Sequence, residues 1–106
     1  MANPQLENGH TRIANELLWV IIKYITNPSW LRTVLLIIRI TYGYQRKETT
    51  SNYKSFVTSL NLTEEYIKTI LFELADQNII FYKPRDSFKF NVALNKDYES
   101  WKIYKK

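Results

Sequence analysis

A chain of 106 residues, 45% hydrophobic and 15% aromatic, is long enough for one domain with a modest core and too apolar for disorder. It has no cysteine, which excludes a disulfide framework and a thiolate metal site and fits a reducing cytoplasm. Its net charge of +5 suits a polyanionic partner, yet the charge is uneven: residues 28–47 carry Arg32, Arg39, Arg46 and Lys47 with no acid, and residues 83–106 carry seven basic residues against Asp86, Asp97 and Glu99, whereas residues 48–82 have only Lys54 and Lys68 against Glu48, Glu64, Glu65, Glu73 and Asp76.

Met1 to Arg12 is polar, unlike a signal peptide. From Asn15 to Ile25, residues Leu17, Leu18, Ile21, Ile22 and Ile25 recur at helical spacing, and Trp19 and Val20 widen the stripe into a helix buried on much of its surface. The apolar runs Leu17 to Ile22 and Val34 to Ile38 fall far short of the ~18 residues of a membrane span. Asn27-Pro28 ends the first helix, and Pro28 suits the first turn of the next. That second helix is expected to reach about Tyr42, with Val34, Leu35, Ile37 and Ile38 inward, Arg32 and Arg39 outward, and Gly43 as a left-handed cap. Glu48 to Thr50 reads as a short strand.

Ser51 or Asn52 can cap a third helix carrying Phe56, Val57 and Leu60 inward. Asn61-Leu62 is its turn, since asparagine tolerates left-handed backbone. Thr63 caps a fourth helix whose first turn holds Glu64 and Glu65, favourable at the positive end of the helix dipole. Ile67, Ile70, Leu71 and Leu74 give it an amphipathic stripe, and Asn78 is its left-handed stop. Ile79 to Tyr82 is a strand, Pro84 to Ser87 a turn, and Phe88, Phe90, Val92 and Leu94 alternate with Lys89, Asn91 and Ala93 as a half-buried strand. Asp97 to Lys106 is expected to form a short helix that lays Tyr98 and Trp101 on the domain. Phe72 lies opposite the apolar stripe, and the Trp101 region is its expected cover. The order predicts an α+β, mainly α fold: a winged helix-turn-helix with an extra N-terminal helix, one domain over residues 1–106.

Catalytic chemistry has little to stand on. His10 is the single histidine, Glu64 and Glu65 point about 100° apart on a helix, and with only Gly9 and Gly43 there is no phosphate-binding glycine loop. No enzyme, metal site or cofactor is expected.

Three blocks carry a family resemblance: Asn3-Pro4-Gln5-Leu6-Glu7-Asn8-Gly9-His10-Thr11-Arg12-Ile13-Ala14-Asn15-Glu16-Leu17-Leu18, then Ile37-Ile38-Arg39-Ile40-Thr41-Tyr42-Gly43-Tyr44, then Leu94-Asn95-Lys96-Asp97-Tyr98-Glu99-Ser100-Trp101. In this order they resemble the N-terminal DNA-binding domain of the bacteriophage replication protein O family. The resemblance implies sequence-specific binding of double-stranded DNA at a replication origin, often as a homodimer, in the bacterial host cytoplasm and without a membrane. Family members recruit the replicative helicase through a separate C-terminal region, and this chain ends where the DNA-binding domain ends. A chain complete at Lys106 is therefore a DNA-binding regulator, a partial initiator with another replication or regulatory protein, or a fold reused for protein binding.

Under that resemblance DNA is read through helix 63–77 and wing 79–94, with Arg46, Lys47, Lys54, Tyr66, Lys68, Thr69, Lys83, Arg85 and Lys89 as the candidate contacts. The basic wing residues suit phosphates, a contribution independent of sequence. Family members often carry Arg, Ser or Asn near the start of the recognition helix, where this chain has Glu64 and Glu65. A glutamate can accept from cytosine N4 but is repelled by neighbouring phosphates. Those acids, with the net charge of −3 over residues 48–82, favour one alternative, a small phage or mobile-element protein that reuses the winged-helix fold to bind and inhibit another protein; a transcriptional regulator is the other alternative.

Overall fold

The computed structural model describes residues 1–105 and is α+β, mainly helical. Among the described residues it has four α-helices and one three-stranded antiparallel sheet: α1 (Asn15–Tyr24), α2 (Pro28–Thr41), β1 (Glu48–Asn52), α3 (Tyr53–Leu60), α4 (Glu64–Asp76), β2 (Ile80–Pro84) and β3 (Lys89–Leu94). Strand order is β1-β3-β2, with Thr49 and Tyr82 both facing Val92.

The helix ends follow local chemistry. Asn27 caps α2, its Oδ1 accepting from the amides of Ser29 (2.9 Å) and Trp30 (3.2 Å), with Pro28 in the first turn. Asn52, rather than Ser51, caps α3 by accepting from the Ser55 amide at 2.7 Å. Asn61 and Asn78 are left-handed, with φ of 56° and 63°, and Thr63 accepts from the Tyr66 amide at 3.2 Å. The expectation for Gly43 is corrected. A 3-10 turn, Tyr42–Tyr44, follows α2, and the left-handed residue is Gln45 (φ 58°). Gly43 instead permits a close approach, because a Cβ there would lie 3.1 Å from the Thr11 hydroxyl.

The core centres on Ile67, Ile70, Leu71 and Leu74 of α4, all buried, with Val34 and Ile37 of α2, Phe56 and Leu60 of α3, and the inner sheet face of Phe90 and Val92. Phe90 sits among Tyr53, Phe56 and Tyr82 at ring distances of 4.7, 5.1 and 5.6 Å, within the range of favourable aromatic pairs. Thr33 and Thr41 are buried on α2 and satisfy their hydroxyls on the carbonyls of Ser29 and Ile37, one turn back.

Four expectations of burial are corrected. On α1 only Leu17, Val20 and Ile21 are buried, with Ile25 just beyond; Trp19 and Ile22 are 64% and 61% exposed, because the helix packs by one face alone. Leu35 is exposed, one helical step from buried Val34. Phe88 lies before β3 at the hairpin bend, exposed, while Ala93 is buried. The tail forms only a 3-10 turn, Tyr98–Ser100, because Trp101 leaves helical geometry to bury its ring and donate Nε1 to the Asn95 carbonyl at 2.8 Å. Trp101 therefore does not cover Phe72, which is 68% exposed. Lys106, the end of the expected tail helix, lies outside the described residues.

Candidate nucleic-acid interface

The β2–β3 hairpin is fixed at its tip. Asp86 Oδ1 accepts from the amides of Phe88 (2.7 Å) and Lys89 (2.8 Å), and these two bonds hold its carboxyl below the ordinary aspartate value. The Arg85 amide donates to the Lys89 carbonyl at 2.9 Å, closing the turn. The Tyr53 amide, at the start of α3, donates to the Phe88 carbonyl at 3.0 Å. Tyr53 and Tyr82 bond through their hydroxyls at 2.6 Å, and burial first, then this bond, pushes the Tyr82 hydroxyl well above the ordinary tyrosine range.

This places four of the sequence-predicted contacts at one end of the molecule. Lys54 follows Tyr53, Arg85 and Lys89 flank the tip, and Lys68 Nζ of α4 lies 4.8 Å from the Tyr53 ring centre. Lys68 also pairs with Glu64 at 3.2 Å. Lys83 faces Asn91 in register, so it shares the outer sheet face with Lys89 as a diagonal neighbour. All five cations are exposed. Between Arg85 and Lys89 stands Phe88, 74% exposed.

Arg46 and Lys47 are not part of this group. They precede β1 at its opposite end, and five residues of strand from Lys47 to Asn52, the partner of Lys89, span about 16 Å. There they line a cavity with Arg12, Tyr42 and Lys96.

The face of α4 opposite the core stripe carries Glu65, Thr69, Phe72 and Asp76, all exposed. Thr69 donates its hydroxyl to the Glu65 carbonyl at 3.1 Å, leaving its methyl group and oxygen lone pairs outward. Tyr66 lies on the flank toward α2, donating to the Ser29 hydroxyl at 3.2 Å, beside the Trp30 indole bond to Glu73. Tyr66 thus braces α4 on α2, and the outward face holds no cation.

The residue that sequence reasoning missed is Phe88. Period-two alternation assigned it to a buried strand face; the signal against this was Asp86, whose side chain can bond two residues ahead and carry the turn through Phe88. Among the described residues no cluster of three His, Asp or Glu side chains could hold a metal ion, and no helix is long and apolar enough to cross a membrane.

The molecule is a small, mainly helical α+β protein with a basic surface hairpin. The chain belongs to the bacteriophage replication protein O family, whose model matches residues 2–101. It is similar to replication protein 15 of Enterobacteria phage phi80, with 25% identity over 96 residues. The match covers 91% of this chain and 32% of that relative, so the chain spans about a third of the relative's length. No solved structure matches the chain.

Proposed function

We propose that the chain is a winged helix-turn-helix that binds double-stranded DNA, as the DNA-contacting part of a phage replication protein. In this reading α3, the turn at Asn61 and α4 form the helix-turn-helix, and the β2–β3 hairpin is the wing. The observation that carries it is the pinned hairpin tip. The Tyr53–Phe88 bond holds Arg85 and Lys89 beside Lys54 and Lys68, at the same end as the start of α4. Basic side chains on a backbone pinned in this way neutralise phosphates without the loop first having to be ordered. Membership in a phage replication family supports the same partner. The protein works without catalysis, in the bacterial cytoplasm. Phosphate contacts come from Lys54, Lys68, Lys83, Arg85 and Lys89. The α4 face supplies base contacts: the Thr69 methyl and Phe72 toward thymine methyls, and Glu65 toward a cytosine amino group.

The test is anisotropy of a labelled random duplex across salt concentrations. Four or five phosphate contacts give a slope of log affinity against log salt of about −4. Absence of duplex affinity at low salt overturns the reading.

A second reading has one specific observation behind it. The outward face of α4 is acidic around exposed Phe72, with Glu65 and Asp76 beside it. That surface suits a basic protein partner, and this reading predicts no duplex affinity in the same titration.

A further inference from the structure

The cations left out of the hairpin cluster form a site of their own. Arg12, Arg46, Lys47 and Lys96 line one cavity of about 490 Å³, between the start of α1 and the loop before β1. That volume lies in the range of roughly 300–1,000 Å³ typical of small-molecule sites. None of the four makes an ion pair among the described residues. The single carboxylate in the lining, Glu16, accepts a hydrogen bond from the Tyr98 hydroxyl. That bond is the main reason the Tyr98 hydroxyl is pushed up to about 12, so it stays a donor and keeps Glu16 occupied. Four cations against one engaged carboxylate leave the cavity net positive by three charges.

Its other walls are apolar and aromatic. Ile13 and Leu17 line it together with Tyr42 and Tyr98. Lys96 Nζ sits 5.4 Å from the Tyr42 ring centre. The Tyr42 hydroxyl is buried with no hydrogen-bond partner among the described residues. Four cations and two tyrosines lining one cavity match one kind of ligand: a planar, partly apolar group joined to several negative charges.

We infer that this cavity binds a nucleotide, its phosphates on Arg12, Arg46, Lys47 and Lys96 and its base against Tyr42 and Tyr98. The site lies at the opposite end of β1 from the hairpin tip and shares none of its residues, so it does not depend on the duplex-binding reading. The nucleotide comes either free or as part of a single strand, and both offer the same chemistry.

Calorimetric titration of the full chain without divalent metal tests this, using ATP, inorganic triphosphate and a short 5′-phosphorylated oligothymidylate as probes. ATP is expected to bind saturably with a Kd below about 1 mM, and tighter than triphosphate because the tyrosine walls contribute. An Arg46→Ala/Lys96→Ala variant is expected to lose at least about tenfold, equivalent to ~1.4 kcal/mol, with an unchanged melting temperature since both side chains are exposed. Lys47→Glu is an independent variant with the same expected loss. Lys89→Ala at the hairpin is expected to leave nucleotide binding unchanged. An oligonucleotide that binds and displaces ATP identifies a strand as the source; ATP binding with no oligonucleotide binding identifies the free nucleotide. The inference is overturned by no saturable binding of ATP or the oligonucleotide, by triphosphate binding as tightly as ATP, or by unchanged affinity in the cavity variants.

Discussion

The main-chain amide of Tyr53 donates to the carbonyl of Phe88 at 3.0 Å, tying the first residue of α3 to the tip of the β2–β3 hairpin. Hairpin tips are ordinarily among the more mobile parts of a fold. This one is held from both sides: by α3 through its carbonyl, and by Asp86 through its amide. The Phe88 ring is consequently presented outward on a fixed backbone, with Arg85 and Lys89 beside it.

A fixed, exposed aromatic ring between cations is suited to wedge between base pairs in a minor groove, as apolar side chains of DNA-bending proteins do. Phe88→Ala is expected to leave stability within the ±0.5 kcal/mol of ordinary surface changes. It is expected to weaken duplex binding by about tenfold, on the scale of ~1–3 kcal/mol for an aromatic stacked on a base. A duplex with 2-aminopurine should brighten when bound by the parent and not by the variant. Equal fluorescence for both removes the wedge while leaving phosphate binding intact.

The phosphate contribution is measured separately. Replacing Lys54, Arg85 and Lys89 with alanine should flatten the salt slope by about one unit per lost contact, close to three in all. The corresponding change at Arg46 and Lys47 should leave the slope unchanged, because those side chains lie about 16 Å along the strand from Asn52 and Lys89. A flattened slope in the Arg46/Lys47 variant would mean that the duplex runs the whole length of β1.

The tip also has a pH dependence whose sign is fixed by Asp86. Its carboxyl titrates below the ordinary value, chiefly because of the Phe88 and Lys89 amide bonds. A depressed carboxyl stabilises the tip above its unfolded value of 3.8, and this stabilisation is lost as pH falls through the lower folded value. The Phe88 and Lys89 amide resonances should therefore remain native at pH 3.8 and shift only under stronger acid. Asp86→Asn keeps an acceptor oxygen and should hold the turn without that titration, whereas Asp86→Ala should release both amides at neutral pH.

How far the sequence is legible depends on how local the cause is. Asn61, Thr63 and Asn78 act within a turn of their own helix, so cap chemistry alone predicts them. The α4 stripe follows from spacing, and all four of its residues are buried. Leu71→Ala should cost ~2–5 kcal/mol in a denaturant melt, since Leu71 is fully buried in the centre of the core; a loss below about 0.5 kcal/mol is the surface range and would place the helix face wrongly. Trp19 and Ile22 were illegible because periodicity shows which residues are apolar and not which side of a peripheral helix is covered. Arg46 and Lys47 fell in one candidate group with the wing because sequence shows their charge and not the strand register that separates them. The cavity with Lys96 was illegible for the same reason, since β3 must return past β1 before Lys96 meets Arg46.

Glu64 and Glu65 both open α4, and the structure places them differently. Glu64 is tied to Lys68 at 3.2 Å, while Glu65 stands on the outward face of α4 with Thr69 and Phe72. Either glutamine substitution keeps size and helix propensity nearly the same and gives up a few tenths of a kcal/mol of helix-dipole interaction. If α4 enters the major groove, Glu65 faces the bases with phosphates on either side, so Glu65→Gln is expected to bind random duplex more tightly at low salt. Its cytosine preference should fall at the same time, because glutamine offers one carbonyl oxygen in place of a carboxylate. Glu64→Gln acts differently: it removes the carboxylate that competes with phosphate for Lys68 and should tighten duplex binding without altering base preference. Titrations of both variants with random duplex at two salt concentrations separate these effects. No gain from Glu65→Gln means that this helix stays out of the groove. The acidic face around Phe72 is then free for a basic protein partner, and the duplex is left to the hairpin alone.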